Sequence, residues 1–146
     1  MYSDYGSIIH ISDLNKGSVA SVKITNCSFE SISAKKYGGI VYSHSKYTPY
    51  YVFFDDCNFK NVSATFGNIC YSLDKNSEPS ISNMEELKKE KGNMATNPTM
   101  IQFSQGSQTS VSLLSGEKLP NGLECNIYDD YDNSRYWKTL HIYYYY

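Results

Sequence analysis

The chain has 146 residues, with 13 basic and 15 acidic side chains and a formal net charge of −2 at pH 7. Its length fits one domain with a buried core, and its charge balance lacks the basic excess that nucleic-acid binding requires. No apolar run reaches the length of a membrane-spanning helix, so neither a nucleic-acid partner nor a membrane span is expected.

The sequence contains an internal repeat of about 30 residues. A first phrase, Tyr-Gly-Ser-Ile-Ile at 5–9, returns as Tyr-Gly-Gly-Ile-Val at 37–41 and as Phe-Gly-Asn-Ile-Cys at 66–70. A second phrase at 22–34 returns at 52–64. A fixed period of this size is typical of structural units that stack on one another.

Each repeat carries two short runs of alternating apolar residues and almost no helical spacing. Val22 and Ile24 share a face with Phe29 if a bend at Asn26 resets the alternation. Leucine-rich repeats need a leucine ladder, which this sequence lacks. Ankyrin and tetratricopeptide repeats need two helices each, and these segments are too rich in β-forming residues for that, so all three repeat types are disfavoured. The pattern therefore predicts an all-β fold, a parallel β-helix or solenoid of about three coils.

The whole chain, 1–146, is predicted to form a single module with three regions. Residues 1–75 carry the coils. Residues 76–98 differ in composition and are predicted as a short helical insertion, because Ser-Asn-Met-Glu at 82–85 reads as a capping box. In 99–146 alternation resumes, which predicts strands that finish the solenoid or form a small antiparallel sheet as a C-terminal β cap.

Two features near the C-terminus extend this interpretation. Leu-Pro-Asn-Gly at 119–122 predicts a turn. The aromatic segment 140–146 is predicted either as a last strand or as a stub that pairs with a further repeat, and Trp137 precedes it. An aromatic segment of this kind would be adhesive if it were left uncovered.

The four cysteines allow three pairings. Cys27 and Cys57 hold equivalent places one repeat apart, and strands about 4.8 Å apart bring Cα atoms within disulfide range. A bridge and a column of buried free thiols both fit this arrangement. A second bridge would join Cys70 to Cys125. None of the four has metal-ligand spacing, so no metal or other cofactor is expected.

No catalytic constellation emerges from the sequence. Asp55 and Asp56 are the obvious carboxylates in the coils, but Thr25 and Asn26 hold the equivalent places one coil earlier, so no acidic column forms. The oxygen-rich stretch 129–132 lacks the glycine and distal glutamate of an EF-hand loop, and a calcium site there is left open. The chain is therefore not expected to be an enzyme.

The candidate binding surface consists of tyrosines close to carboxylates. These residue types dominate the hot spots of protein interfaces, and tyrosine also stacks on sugar rings. The predicted protein-binding residues are Tyr47, Tyr50, Tyr51, Asp55, Asp56, Tyr128 and Tyr131.

The repeated phrases resemble those of two groups of known proteins. Gly-Gly-Ile-Val-Tyr at 38–42 and Asn-Cys-Ser-Phe at 26–29, echoed at 56–59, resemble right-handed β-helix repeats of the polymorphic outer-membrane and pectate-lyase-like kind. The segment 114–130, Leu-Ser-Gly-Glu-Lys-Leu-Pro-Asn-Gly-Leu-Glu-Cys-Asn-Ile-Tyr-Asp-Asp, is similar to the repeat of scaffoldins from anaerobic gut fungi. The first resemblance implies that the predicted parallel β-helix is right-handed.

The scaffoldin resemblance also implies a function. It implies a secreted, non-catalytic cohesin module that binds dockerin domains of plant-cell-wall-degrading enzymes and stands beside neighbouring repeats of a scaffold. The first alternative is a carbohydrate-active or carbohydrate-binding β-helix domain, and the second is a structural adhesin segment. Because the repeat is already under way at Tyr5, the chain is expected to be part of a longer array, with any export signal upstream.

Overall fold

The computed structural model describes residues 3–104, 110, 112–114, 116–117 and 125–135. Arg135 is described by its backbone alone. The chain divides into two compact units, Met1–Asn97 and Pro98–Tyr146. The predicted turn at 119–122, Trp137 and the aromatic segment 140–146 lie outside the described residues. Across the described residues, no helix combines the length and apolarity needed to cross a membrane.

The first unit consists of short strands with single-turn helices between them. Helix α1 is Thr48–Tyr51, a 3-10 turn covers Lys75–Ser77, and helix α2 is Met84–Leu87. The strands of this unit are β1 (Ser3–Tyr5), β2 (Ile9–Ile11), β3 (Val22–Thr25), β4 (Ser28–Glu30), β5 (Ala34–Tyr37), β6 (Val41–Ser43), β7 (Val52–Asp55), β8 (Asn58–Lys60), β9 (Cys70–Ser72), β10 (Ser80–Ile81) and β11 (Met94–Thr96).

Equivalent strands of successive repeats lie side by side and run parallel. Their orders are β1-β5, β3-β7-β10, β2-β6-β9-β11 and β4-β8. Val22 lies opposite Val52, and Phe29 lies opposite Phe59. The predicted parallel alignment of the phrase at 22–34 with its copy at 52–64 is therefore confirmed.

The prediction of a right-handed parallel β-helix of about three coils, with a helical insertion and a C-terminal cap, is wrong. The described strands form five separate sheets of two to four strands, not one solenoid. Residues 76–98 are not a helical insertion, because they contribute β10 and β11, which pair in parallel with β7 and β9. The coarser expectation stands: small β-sheets dominate and helices are few.

Residues with positive φ interrupt the strands at matching places in the repeats. Asn26 and Asp56 have φ of 53° and 48°, and Ser31 and Asn61 have φ of 55° and 53°. Asparagine and aspartate tolerate this left-handed region better than most residues do. These bends explain the short strands, and the predicted bend at Asn26 is confirmed.

The core of the first unit lies beneath the second and third repeats. Val52 is only 2% exposed, whereas Val22, which holds the same position one repeat earlier, is 43% exposed. The difference arises because β3 has a described neighbouring strand on one side only, whereas β7 has one on both sides. Among the described residues, the large, fully buried apolar side chains include those of Ile40, Val41, Val52, Phe54, Cys70 and Met94.

Helix α2 begins differently from the sequence prediction. No capping box forms: the residue before the helix is Asn83, and its side chain makes no hydrogen bond to the helix. The Ser82 hydroxyl instead accepts a hydrogen bond from the backbone N–H of Asp56, at 3.0 Å. Ser82 thus joins the end of β10 to the bend after β7.

The second unit contains an antiparallel sheet in the order β12-β13-β14. Its strands are β12 (Pro98–Phe103), β13 (Cys125–Asp129) and β14 (Ser134–Arg135). Ile101 lies opposite Ile127 across β12 and β13. The small antiparallel sheet expected for this region is therefore present.

Candidate functional site

Three of the predicted binding tyrosines line one cleft on the first unit. Tyr47, Tyr50 and Tyr51 surround a space of about 440 Å³ together with Lys16. Tyr50 is the most exposed of the three, at 69%. The cleft is predominantly aromatic, with one cationic side chain at its edge.

The single turn of α1 holds these tyrosines in place. Thr48 is fully buried, and its hydroxyl donates a hydrogen bond of 2.6 Å to the carbonyl oxygen of Ser45. The Ser45 hydroxyl donates in turn to the carbonyl oxygen of Leu14, at 3.0 Å. The Tyr51 hydroxyl donates to the carbonyl oxygen of Lys16, at 3.0 Å. The turn is therefore tied both to the core and to the loop before β3.

A second lysine contacts Tyr47, the residue directly before α1. The Lys46 ammonium lies 5.3 Å from the centre of the Tyr47 ring, within the range of a cation–π interaction. Exposed aromatic rings beside ammonium groups favour partners that offer apolar surface and hydrogen-bond acceptors. The cleft therefore suits a polypeptide with an apolar side chain near carboxylates or carbonyl groups.

Asp55 and Asp56 do not line this cleft. Asp55 ends β7 and lies 4.0 Å from the Lys23 ammonium; both side chains are more than half exposed, so the pair contributes little to stability. Asp56 forms the bend after β7 and bonds to Ser82 through its backbone. Neither carboxylate therefore belongs to the tyrosine cleft.

Tyr128 and Tyr131 belong to the second unit. Between them, the buried Asp129 organises a tight turn: its Oδ1 accepts hydrogen bonds from the backbone N–H groups of Tyr131 and Asn133, at 2.9 and 3.0 Å. Its Oδ2 accepts one from the Asn133 amide, at 2.9 Å. Within the described residues, no group of three or more His, Cys, Asp or Glu side chains is placed to hold a metal ion.

The first unit also contains an aromatic cluster that the sequence reasoning did not propose as a site. Tyr5 stacks on Tyr37 and Tyr37 stacks on Phe66, with ring centres 5.6 and 5.5 Å apart. Each of these rings precedes a glycine in the first phrase, and that regularity is the signal that could have revealed the cluster. A neighbouring column contains His10, Tyr42 and Tyr71, at paired positions in β2, β6 and β9.

This cluster stabilises the repeat and is poorly suited to sugar stacking. Tyr37 has an aromatic ring on each face. Aromatic pairs of this kind are worth about 0.5–1.5 kcal/mol each beyond the area that they bury. Burial, followed by the neighbouring Tyr71, Tyr5 and Tyr37 hydroxyls, raises the pKa of Tyr42 and favours its neutral form.

All four cysteines are free thiols in the structure. Cys27 is exposed, Cys57 and Cys70 are buried, and Cys125 is half-buried. Neither the Cys27–Cys57 bridge nor the Cys70–Cys125 bridge that the sequence left open is therefore present. Burial, with a smaller contribution from Glu78, raises the pKa of the Cys70 thiol well above its ordinary value, which makes that thiol unreactive.

We expect this burial pattern to control thiol reactivity. In a Cys125→Ser variant at pH 8, Cys27 should react rapidly with Ellman's reagent, whereas Cys57 and Cys70 should react only after unfolding in guanidinium. The absorbance change at 412 nm gives the number of thiols in each state. The unmodified protein can be unfolded with and without reductant and its thiols counted in both samples. Two fewer thiols in the sample without reductant, with a matching difference in intact mass, would contradict the free-thiol state.

Comparisons with protein-family models, with curated proteins and with solved structures found no match to this chain. The described fold and the tyrosine cleft are therefore the structural basis for a functional proposal.

Proposed function

We propose that this chain is a non-catalytic, secreted protein-interaction module of the scaffoldin cohesin type, which binds dockerin domains of plant-cell-wall-degrading enzymes. The observation that carries the proposal is the cleft formed by Tyr47, Tyr50 and Tyr51. Tyrosine is enriched in the few residues that supply most of the binding energy of protein interfaces.

The rigidity of the cleft supports this role. Thr48 and Tyr51 make hydrogen bonds that fix α1 to the rest of the unit. A tyrosine side chain has few rotatable bonds, and a fixed backbone lowers the entropic cost of ordering it on binding. The exposed Tyr50 side chain then provides apolar surface and a hydroxyl group that a protein partner can cover.

The two glycosylation sequons support a secretory setting. Asn26 and Asn61 each begin an Asn-x-Ser sequence, and both residues are exposed on left-handed bends. Exposed bends are accessible to glycan attachment, whereas strand interiors are not. This accessibility supports the proposed secretion.

A carbohydrate-binding module is the second candidate function. It is favoured by the exposed Tyr50 ring, which could stack on a sugar. The stacked aromatic cluster adds little to this candidate, because ring faces that cover one another cannot contact a sugar. A structural adhesin segment, the third candidate, would use the parallel repeats without any specific partner.

A parallel titration separates these functions. We expect the chain to bind one or more fungal dockerin domains in calorimetry and to show no heat with xylan or pectin oligosaccharides. Saccharide binding without dockerin binding would replace the proposal with the second candidate. If neither the dockerin domains nor the saccharides bind, the structural adhesin segment is the remaining candidate.

The Tyr50→Ala variant tests the cleft itself. Because Tyr50 is 69% exposed, its removal should leave the unfolding midpoint unchanged. Hot-spot truncation costs about 2 kcal/mol or more, so dockerin affinity should fall by about 30-fold. Phe103→Ala, which removes an exposed ring from the second unit, is the matched control and should change neither quantity. Unchanged affinity in Tyr50→Ala would place the interface elsewhere.

A further inference from the structure

A second groove in the first unit lies beside strand β8. Its volume is about 650 Å³, and the residues that line it include Phe59 and Lys60 of β8. On the other side are Asn83, Leu87 and Lys89, together with the carboxylates of Glu86 and Glu90. These residues are distinct from those of the tyrosine cleft.

The groove occupies a position where the repeat pattern places a strand and the described residues supply none. After β8, the chain adds β10 to the edge of β7 and β11 to the edge of β9. Between β10 and β11 it forms α2 and its flanking turns. The β4-β8 sheet therefore has two described strands, whereas the sheets that contain β7 and β9 have three and four.

The outer edge of β8 has backbone groups available for pairing. The Asn58 N–H donates to the carbonyl oxygen of Cys27, at 2.9 Å, and the Lys60 carbonyl oxygen accepts from the N–H of Ser31, at 3.0 Å. Alternate residues of a parallel strand bond to the same neighbour. The N–H and C=O of Phe59, between them, therefore point away from β4 and toward the groove.

A polar atom on the opposite side of the groove lacks a partner. Asn83 Oδ1 is buried, and within the part of the chain that the structure describes it is the one buried side-chain nitrogen or oxygen without a hydrogen bond. A buried acceptor without a donor is unfavourable. Because Asn83 lines the groove, this side of the groove retains an unsatisfied acceptor.

The existing strand pair defines the chemistry of a third strand. The Phe29 and Phe59 rings stack almost parallel, at 5.4 Å and 7°. The Lys60 ammonium pairs with the Glu30 carboxylate, at 3.1 Å. A strand in register with β8 would place one side chain on the free face of Phe59 and the next beside Lys60, so an aromatic residue followed by an acidic one is complementary.

We propose that this groove binds an extended peptide of a partner protein, with the pattern polar–aromatic–acidic, as a third parallel strand of the β4-β8 sheet. Strand addition at a sheet edge obtains affinity from main-chain hydrogen bonds and specificity from alternate side chains. The site does not depend on the function proposed for the tyrosine cleft.

A second copy of the unit does not fit the groove. Its own β4 would carry the Ser-Phe-Glu pattern, but β3 ends at Thr25 and β4 begins at Ser28, so β3 would have to enter together with β4. The place that β3 would take beside β7 is already filled by β10. A free extended segment avoids this conflict.

The test uses the 146-residue chain and a short peptide copied from it. The probe is fluorescein-labelled Asn-Ser-Ser-Phe-Glu-Ser-Ile, which corresponds to residues 26–32 with serine in place of Cys27. We expect saturable binding in fluorescence anisotropy, with a Kd below about 1 mM. No saturation up to that concentration would overturn the proposal.

Two matched controls identify the mode of binding. A probe with an N-methylated glutamate lacks the N–H that would bond to the Phe59 carbonyl oxygen, and its affinity should fall at least about tenfold. Lys60→Glu should weaken the unmodified probe about fivefold, whereas Lys23→Glu, an exposed charge reversal on β3, should not. Equal binding of the two probes, or equal loss in the two variants, would overturn strand addition in this groove.

The Tyr50→Ala variant separates this site from the dockerin proposal. It should bind the probe as tightly as the unmodified protein does, because Tyr50 does not line this groove. Loss of probe binding in Tyr50→Ala would place the peptide in the tyrosine cleft and overturn the assignment to β8.

Discussion

Replacement of Phe54 by alanine is expected to lower the free energy of unfolding by about 3–5 kcal/mol, the usual cost of removing a buried aromatic side chain. Phe54 is only 2% exposed, and the Phe29 and Phe59 rings approach it with centres 5.9 Å away in each case. Removal of the ring leaves a cavity that the paired strands on both sides of β7 cannot easily close. Urea unfolding followed by circular dichroism measures the change.

Two comparisons make this prediction specific. From the repeat alone, Phe29→Ala and Phe59→Ala would be expected to cost as much, because alternation places both rings inward. The structure leaves both rings half-buried, so each should cost less than Phe54→Ala. Tyr50→Ala should cost almost nothing. A Phe54→Ala variant no less stable than Phe59→Ala would show that the core is centred elsewhere.

Replacement of Gly38 by alanine is expected to cost at least about 2 kcal/mol. Gly38 has φ of +61°, in the left-handed region that disfavours residues with a Cβ atom. A Cβ atom there would also overlap the carbonyl oxygen of Val41, which is fully buried. Backbone would have to move, and the sheet order β2-β6-β9 would be disturbed.

Gly17→Ala is the matched control for this substitution. Gly17 does not have a positive φ, and a Cβ atom there would meet only the Asn15 side-chain oxygen, at 3.4 Å. The same chemical change should therefore alter the thermal midpoint little. Equal midpoints for Gly38→Ala and Gly17→Ala would mean that the turn at Gly38 relaxes without cost.

The pairing partners of the repeats could be predicted from the sequence. A 30-residue period with matched apolar positions specifies which residues lie opposite each other, and Val22 opposite Val52 and Phe29 opposite Phe59 follow directly. The bend at Asn26 was predictable for the same reason, because alternation fails there and asparagine tolerates positive φ.

The number and extent of the sheets could not be predicted in this way. Residues 80–96 show neither repeated phrase, yet they supply β10 and β11 through backbone hydrogen bonds that depend little on side-chain identity. The helical pattern near Glu85 is real but short: α2 lasts one turn, and Lys88 pairs with Glu78 as well as with Glu85. In this segment, pairing with the edges of β7 and β9 outweighed the local preference for helix.

The candidate site was predictable only in part. Tyrosines close together in sequence, such as Tyr47, Tyr50 and Tyr51, remain close in the structure because one turn of helix holds them. Asp55 does not line the cleft, because the extended strand β7 carries that residue away from α1. The groove beside β8 has no sequence signal, because it consists of a strand edge without a neighbouring strand in the described part of the chain.

The amino-acid sequence by itself determined the repeat register, the positions of the bends and the residues that face inward, because alternation and backbone preference act between neighbours along the chain. Only the tertiary structure decided which inward residues are buried, as the contrast between Val22 and Val52 shows. It also decided where a sheet ends and a groove begins. Burial and strand pairing depend on what lies on each side of a strand, and distant segments of the chain supply those neighbours.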